Sequence, residues 1–232
     1  MSTIAVRNSA DRRPPPLRRA IGWLLIVVGT IAYVYAALLR PWHTRWGASD
    51  AELQAVLPGD ELVLAPVAVT TRAIAINAPP EAIWPWLAQL GQGRGGFYSY
   101  EWLENTLLGC EIENAETINP AWQGIAPGDL VKMRPDPAMP PAYIVAQVLP
   151  GRALVLGHHV GLSTDPTAPW ADTWQFVIVP QEPGGSRLII RTRTQEAPWI
   201  NRLLEPGIFL MEERMLRGIR ERAERYAVQL SR

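Results

Sequence analysis

The longest uncharged run of the chain is Ala20 to Leu39, AIGWLLIVVGTIAYVYAALL. At 1.5 Å per residue, a helix of about 20 such residues crosses a hydrocarbon core of about 30 Å. Arg18 and Arg19 close one end and Arg40 the other, and Trp23, Trp42 and Trp46 fall at depths that indoles favour. The pattern predicts one transmembrane helix over 20–39. A cleaved signal peptide is the rival reading, with a small-x-small site at Val34 and Ala36, but its apolar region would be about 7–15 residues. Five arginines precede the run (Arg7, Arg12, Arg13, Arg18, Arg19) and two follow closely (Arg40, Arg45). The excess places the N-terminus in the cytoplasm and the rest of the chain outside the cell membrane.

Beyond the run, the period of the apolar positions changes several times. Residues 40–66 read as a connector with one helical stretch near Ser49–Leu57, opened by a Ser49/Glu52 capping box. Val67–Asn77 alternates as a strand. Ile83, Trp86, Leu87 and Leu90 then fall at helical spacing after Pro79 and Pro80, and Gly91 stops that helix. A second short helix follows the glycine-rich GQGRGGF, with Ser99 as N-cap, Trp102, Leu103 and Leu107 as buried face and Gly109 as stop. Period two then predicts strands over Ile112–Ile118, Asp129–Arg134, Ala142–Leu149, Ala153–His158, Thr173–Pro180 and Arg187–Thr194. The last two are joined by QEPGGS as a hairpin. A long helix from about Gly207 to Leu230 ends the chain, with Ile208, Met211, Met215, Ile219 and Tyr226 as its stripe. Strands in a run rather than in alternation with helices indicate an α+β domain with an antiparallel sheet, curved around the long helix. The space between sheet and helix is where a ligand would go.

Charge sharpens the division. Residues 1–46 hold seven arginines against one acid, and residues 47–232 hold fifteen basic against twenty-one acidic residues, although the whole chain is neutral. The acidic part would repel phosphates, so no nucleic acid is expected as partner, and the basic head suits a membrane surface. The head, 1–19, is polar, Arg-rich and Pro-rich and is expected to be disordered. One cysteine, Cys110, excludes an internal disulfide and reads as a packed small hydrophobe.

The stretches TTRAIAINAPPEAIWPWLAQLG, GGFYSYEWLEN, TWQFVIVP followed by SRLIIRTR, and EPGIFLMEERMLRGIRERAERY resemble the SRPBCC superfamily, START-like proteins related to polyketide cyclases, over residues 67–228. Within it the chain is similar to membrane-associated bacterial members. The resemblance implies a helix-grip fold over 67–232, with a deep apolar cavity under the C-terminal helix. It does not imply one function, because the fold hosts carriers, receptors, cyclases and hydrolase activators.

Candidate chemistry is sparse. G91-Q-G-R-G-G96 matches a dinucleotide fingerprint literally, but a helix and not a strand precedes it, so a flexible connector with exposed Arg94 is expected and no cofactor is implied. His158 and His159 are neighbours on a strand and point to opposite faces, one toward the cavity and one toward solvent, which disfavours a metal site. Glu101 and Asn105 share a helix face with Tyr98 and would supply a carboxylate, an amide and a phenol if that face looked inward; a solvent-facing Glu101 is the commoner arrangement. Arg191 and Arg193 share one strand face, expected to be an exposed basic surface, with pairing to Glu212 or Glu213 as the alternative. Trp199 is expected near the cavity mouth.

The expected cavity wall comprises Trp86, Tyr98, Trp102, Asn105 and Trp174, with Ile208, Met211, Met215 and Ile219 from the long helix. The reading is a membrane-tethered binding module for a hydrophobic small molecule or lipid. The alternative is a cyclase- or dehydratase-type enzyme in which Glu101 or His158 moves a proton.

Overall fold

A computed structural model describes residues 16–136, 141–196 and 199–231, with the side chains of 16–18 and 199–201 outside the description. Most of the head 1–19, and the Trp199 side chain, therefore lie outside the described residues. The chain forms two compact units, Met1–Trp42 and His43–Arg232. In the first, α1 (Pro16–Val34) passes into a wider π-helical turn at Tyr35–Leu39, followed by α2 (Arg40–Thr44). The helical run Arg19–Thr44 is long and apolar enough to cross a membrane.

The second unit is α+β. Its short α3 (Asp50–Gln54) is capped by Ser49 and Glu52 in a reciprocal box. Strand β1 (Ala68–Ile76) leads to α4 (Pro80–Ala88) and α5 (Glu101–Leu108). Strands β2 (Leu130–Val131), β3 (Tyr143–Leu149), β4 (Ala153–His159), β5 (Trp170–Gln181) and β6 (Gly185–Thr194) follow, and α6 (Trp199–Leu230) ends the chain. The strands make one antiparallel sheet in the order β1-β6-β5-β4-β3-β2.

Three predicted elements differ from the observed ones, each for a local reason. Ile112–Ile118 is irregular. Its backbone is satisfied by side chains rather than by a neighbouring strand: the Asn105 amide both donates to and accepts from Ile112, and Glu101 accepts the N–H of Asn114. The strand expected at Asp129–Arg134 shrinks to two residues. Helix α6 starts eight residues before Gly207 and runs through Pro206. Proline removes the bond to the Arg202 carbonyl, and both residues are exposed, so water replaces it.

Alternation assigns the two sheet faces. Ile74, Ile76, Leu154, Leu156, Trp174, Phe176, Ile178, Leu188 and Ile190 join one core with Trp86 and Leu87 of α4 and Met215, Leu216, Ile219 and Ala223 of α6. The opposite face is covered by residues 48–63. Leu57 packs there on Ala73, Ala153, Val177 and Ile189. Arg191, expected to be exposed or paired with α6, is instead buried against this cover. Its Nε donates to Thr71, Nη1 to the Ala55 carbonyl and Asp60, and Nη2 to the carbonyls of Glu52 and Leu53. Arg193 donates to the Val63 carbonyl and pairs with Asp60.

Helix α6 is pinned at Gly218, where an added Cβ would overlap the carbonyl oxygen of Tyr98. Gly218→Ala should lower stability by about 1–3 kcal/mol, the usual cost of forcing atoms into a packed core. Thermal unfolding of the detergent-solubilised full chain checks this, with Gly207→Ala, whose Cβ meets nothing within 4 Å, as the control expected to stabilise by about 0.5–1 kcal/mol through helix propensity alone.

Candidate functional site

The face of the sheet turned toward α6 changes character along its length. At one end the rows are apolar. At the other, the register sets His158 of β4 opposite Asp172 of β5, and Ile144 opposite Gly157, which brings Tyr143 beside His158. The three make one cross-strand row. Period two carries Leu154, Leu156 and His158 to the same face, and Asp172, Trp174 and Phe176 likewise.

The row is tightly bonded. Nδ1 of His158 lies 3.0 and 3.1 Å from the two Asp172 oxygens, and its backbone N–H donates to Asp172 at 3.1 Å. A carboxylate facing Nδ1 favours a proton on that nitrogen, and Nε2 lies 3.5 Å from the Pro141 carbonyl oxygen. The Tyr143 ring lies 4.2 Å from the imidazole and 5.3 Å from Trp174, which in turn contacts Phe176 at 4.8 Å and Phe97 at 6.1 Å. Burial, then the charges of Asp172 and Glu212, push the Tyr143 phenol well above its ordinary value, so it stays protonated. The indole Nε1 of Trp174 is buried and has no acceptor among the described residues.

A buried ion pair crosses from the sheet to the helix nearby. Arg72 of β1 is bonded to Glu212 of α6, donates from Nε to the His43 carbonyl at 2.8 Å, and sits over the Phe209 ring. Phe209 also stacks on His43 and meets the edge of Trp46.

The expected wall residues separate into four groups. Trp174 stands in the polar-ended region just described. Trp86, Tyr98, Met215 and Ile219 belong to the core: Tyr98 donates to the Trp86 carbonyl at 3.0 Å, and Trp86 meets the Tyr98 and Tyr226 rings edge-on. Met211 is half-buried, its carbonyl accepting the Ser99 hydroxyl, which therefore does not cap α5. Trp102, 67% exposed, Ile208, 48% exposed, and Asn105 lie at the surface. For α5 the reason is its brevity. Eight residues are held by Glu101 to Asn114 and Asn105 to Ile112, so hydrogen bonds set its rotation and turn Glu104 inward in place of Trp102. Glu101 is occupied by that backbone N–H. His159 is buried against Trp170 at 4.0 Å rather than facing solvent. The glycine-rich segment is a closed loop, bridged between Gly91 and Gly96, and Arg94 donates inward to the carbonyls of Ala88 and Trp122. Cys110 is buried, which raises its thiol pKa.

Sequence reasoning missed Tyr143, Asp172, Arg72 and Glu104, and it offered Glu212 to Arg191 or Arg193 where the structure pairs it with Arg72. Asp172 was within reach, two residues before Trp174 on a period-two strand. The others required the strand register or the phase of α5 and α6.

No known family and no curated protein matches this chain. Among solved structures it is similar to protein MLL2253 from Mesorhizobium loti, at 17% identity over 68% of this chain and 98% of that one, with a TM-score of 0.37. It is also similar to protein NE0264 from Nitrosomonas europaea, at 12% identity over 73% and 99%, TM-score 0.39. A third is the Polyketide_cyc-like protein Cgl2372 from Corynebacterium glutamicum, at 16% identity over 70% and 91%, TM-score 0.27. Likeness at this level transfers no ligand or activity to this chain.

Two outcomes are expected. Glu212→Gln strands the Arg72 guanidinium in the interior and should cost roughly 3–5 kcal/mol, most of which Arg72→Met with Glu212→Leu restores; denaturant unfolding measures both. Glu104 is buried beside Glu101 and Cys110, and burial first, then Glu101, raises its carboxyl to about 7 from an ordinary 4.5. A carboxyl raised on folding binds protons more tightly in the native state, so stability is greatest below pH 4.5 and falls as pH rises through 7. Glu104→Gln should therefore leave the melting temperature unchanged near pH 4.5 and raise it by about 2–4 °C at pH 8.

Proposed function

We propose that this chain is a membrane-tethered binding module for a hydrophobic small molecule or lipid, held between the inner sheet face and α6 in a helix-grip arrangement of the SRPBCC kind. The observation that carries the reading is the unequal use of α6. Its second half spends Met215, Leu216, Ile219 and Ala223 on the core. Its first half leaves Leu203, Leu204, Ile208 and Leu210 exposed, although the polar-ended aromatic region lies on the sheet face turned toward the same helix. Apolar side chains not used on the protein's own core are available to an apolar molecule or surface. The helical run Arg19–Thr44 supports a single-pass anchor, and the arginine excess before it supports a cytoplasmic N-terminus with the domain beyond the membrane. A tether keeps the binding region near the bilayer, which raises the local concentration of lipid-soluble ligands. The reading requires no cofactor and no nucleic acid.

The His158–Asp172 pair favours a second reading, a cyclase- or dehydratase-type enzyme. An imidazole oriented by a carboxylate is the arrangement of a general base. Nε2 would take a proton from a bound molecule and return it to a departing hydroxyl, which leaves as water.

Native mass spectrometry of the full chain, released from its own membrane in mild detergent, tests both. A co-purifying lipid or apolar small molecule is expected, and a bare protein that also fails to bind an apolar fluorophore would overturn the binding reading. If His158→Gln retains a molecule of different mass from that held by the wild type, the enzyme reading gains; identical adducts remove it.

A further inference from the structure

Resting on the binding reading above, the chemistry of the polar end selects the kind of head group an apolar ligand would carry. Trp174 is 7% exposed, and its indole N–H is buried with no acceptor among the described residues. A buried donor without a partner is costly, and a ligand that supplies an acceptor recovers that cost. The Tyr143 ring is 5.3 Å from the Trp174 ring, and its phenol is held in the protonated, donating form.

The surrounding charges decide between acceptors. Asp172 and Glu212 both act on the Tyr143 phenol and disfavour negative charge there. The groups that could offset them already face carboxylates: Arg72 is bonded to Glu212 and to the His43 carbonyl, and His158 to Asp172. A carboxylate ligand placed beside this row would lose its water and meet two like charges. A carbonyl or hydroxyl oxygen would accept from the indole and the phenol at no such cost.

We propose that the inner face beside the Trp174 indole N–H and the Tyr143 phenol binds the neutral acceptor oxygen of an otherwise apolar molecule, a ketone, ester or alcohol, and rejects the ionised acid of the same chain length.

The test uses the full chain in detergent at pH 8 with four probes of equal length: decan-2-one, decan-1-ol, n-decane and decanoate. Binding is followed by tryptophan emission and corrected for micelle partition. The ketone and the alcohol should bind at least about tenfold more tightly than decanoate, because the ionised head group must be desolvated beside two carboxylates. Tyr143→Phe, which removes only the hydroxyl, should weaken the ketone about three- to tenfold and leave n-decane unchanged. Trp174→Phe should do the same, and a thermal melt of each variant shows which of them is folded and can be read. Decanoate binding as tightly as the ketone overturns the proposal, as does equal loss of ketone and n-decane in folded Tyr143→Phe. If all four probes bind alike, the binding reading stands and this inference falls; if none binds, the binding reading itself fails.

Discussion

The second unit depends on what covers the outer face of its sheet. Six antiparallel strands bury one face under α4 and α6, and the other would meet water with Ala73, Ala153, Val177 and Ile189 in its centre. Residues 48–63 close that face, and Arg191 holds them there. Its guanidinium reaches three carbonyls of the segment, the Asp60 carboxylate and the Thr71 hydroxyl, so the five N–H groups of the planar fork are all used. A lysine could not reproduce this. Because the outer face is sealed, the ligand-sized questions are confined to the inner one.

On the inner face the sheet works as a ruler. The pairing of His158 with Asp172 and the position of Tyr143 beside them follow from the register of β3, β4 and β5, and not from any local motif. The polar row stands apart because β5 changes from polar to apolar inward residues part-way along, Asp172 giving way to Trp174 and Phe176, whereas Arg72 lies level with Ile190 and Phe176 and enters the apolar rows only as an ion pair with Glu212. The same strands therefore supply both a core and a chemically distinct end. Binding and proton-transfer readings arise from that one end and differ only in what Nε2 of His158 does there.

Much of the fold was legible in the sequence because it rests on period. The alternation in β1, β4, β5 and β6 is long enough to be unambiguous, and the apolar run at the N-terminus is uninterrupted. The site was less legible. His158 and Trp174 could be placed on strands, but their neighbours come from other strands and from α6, and pairing is not written locally. The glycine-rich loop and the two turns of α5 were misread for a different reason. Both are organised by side-chain-to-backbone hydrogen bonds, Arg94 to Ala88 and Asn105 to Ile112 among them, and such bonds leave no periodic trace.

The pinning of α6 at Gly218 has a mechanical consequence. A helix fixed by a backbone contact near its middle cannot slide along the sheet, so whatever enters beneath it does so by lifting one end. The second half is tied by core side chains and by Arg222, which donates to the Ala115 carbonyl. The stretch before Phe209 leaves Leu203, Leu204 and Ile208 exposed and also lacks the main-chain bond that Pro206 would have made. Two stretches of one continuous helix thus differ in local opening free energy, and the end before Phe209 can fray without unfolding the domain.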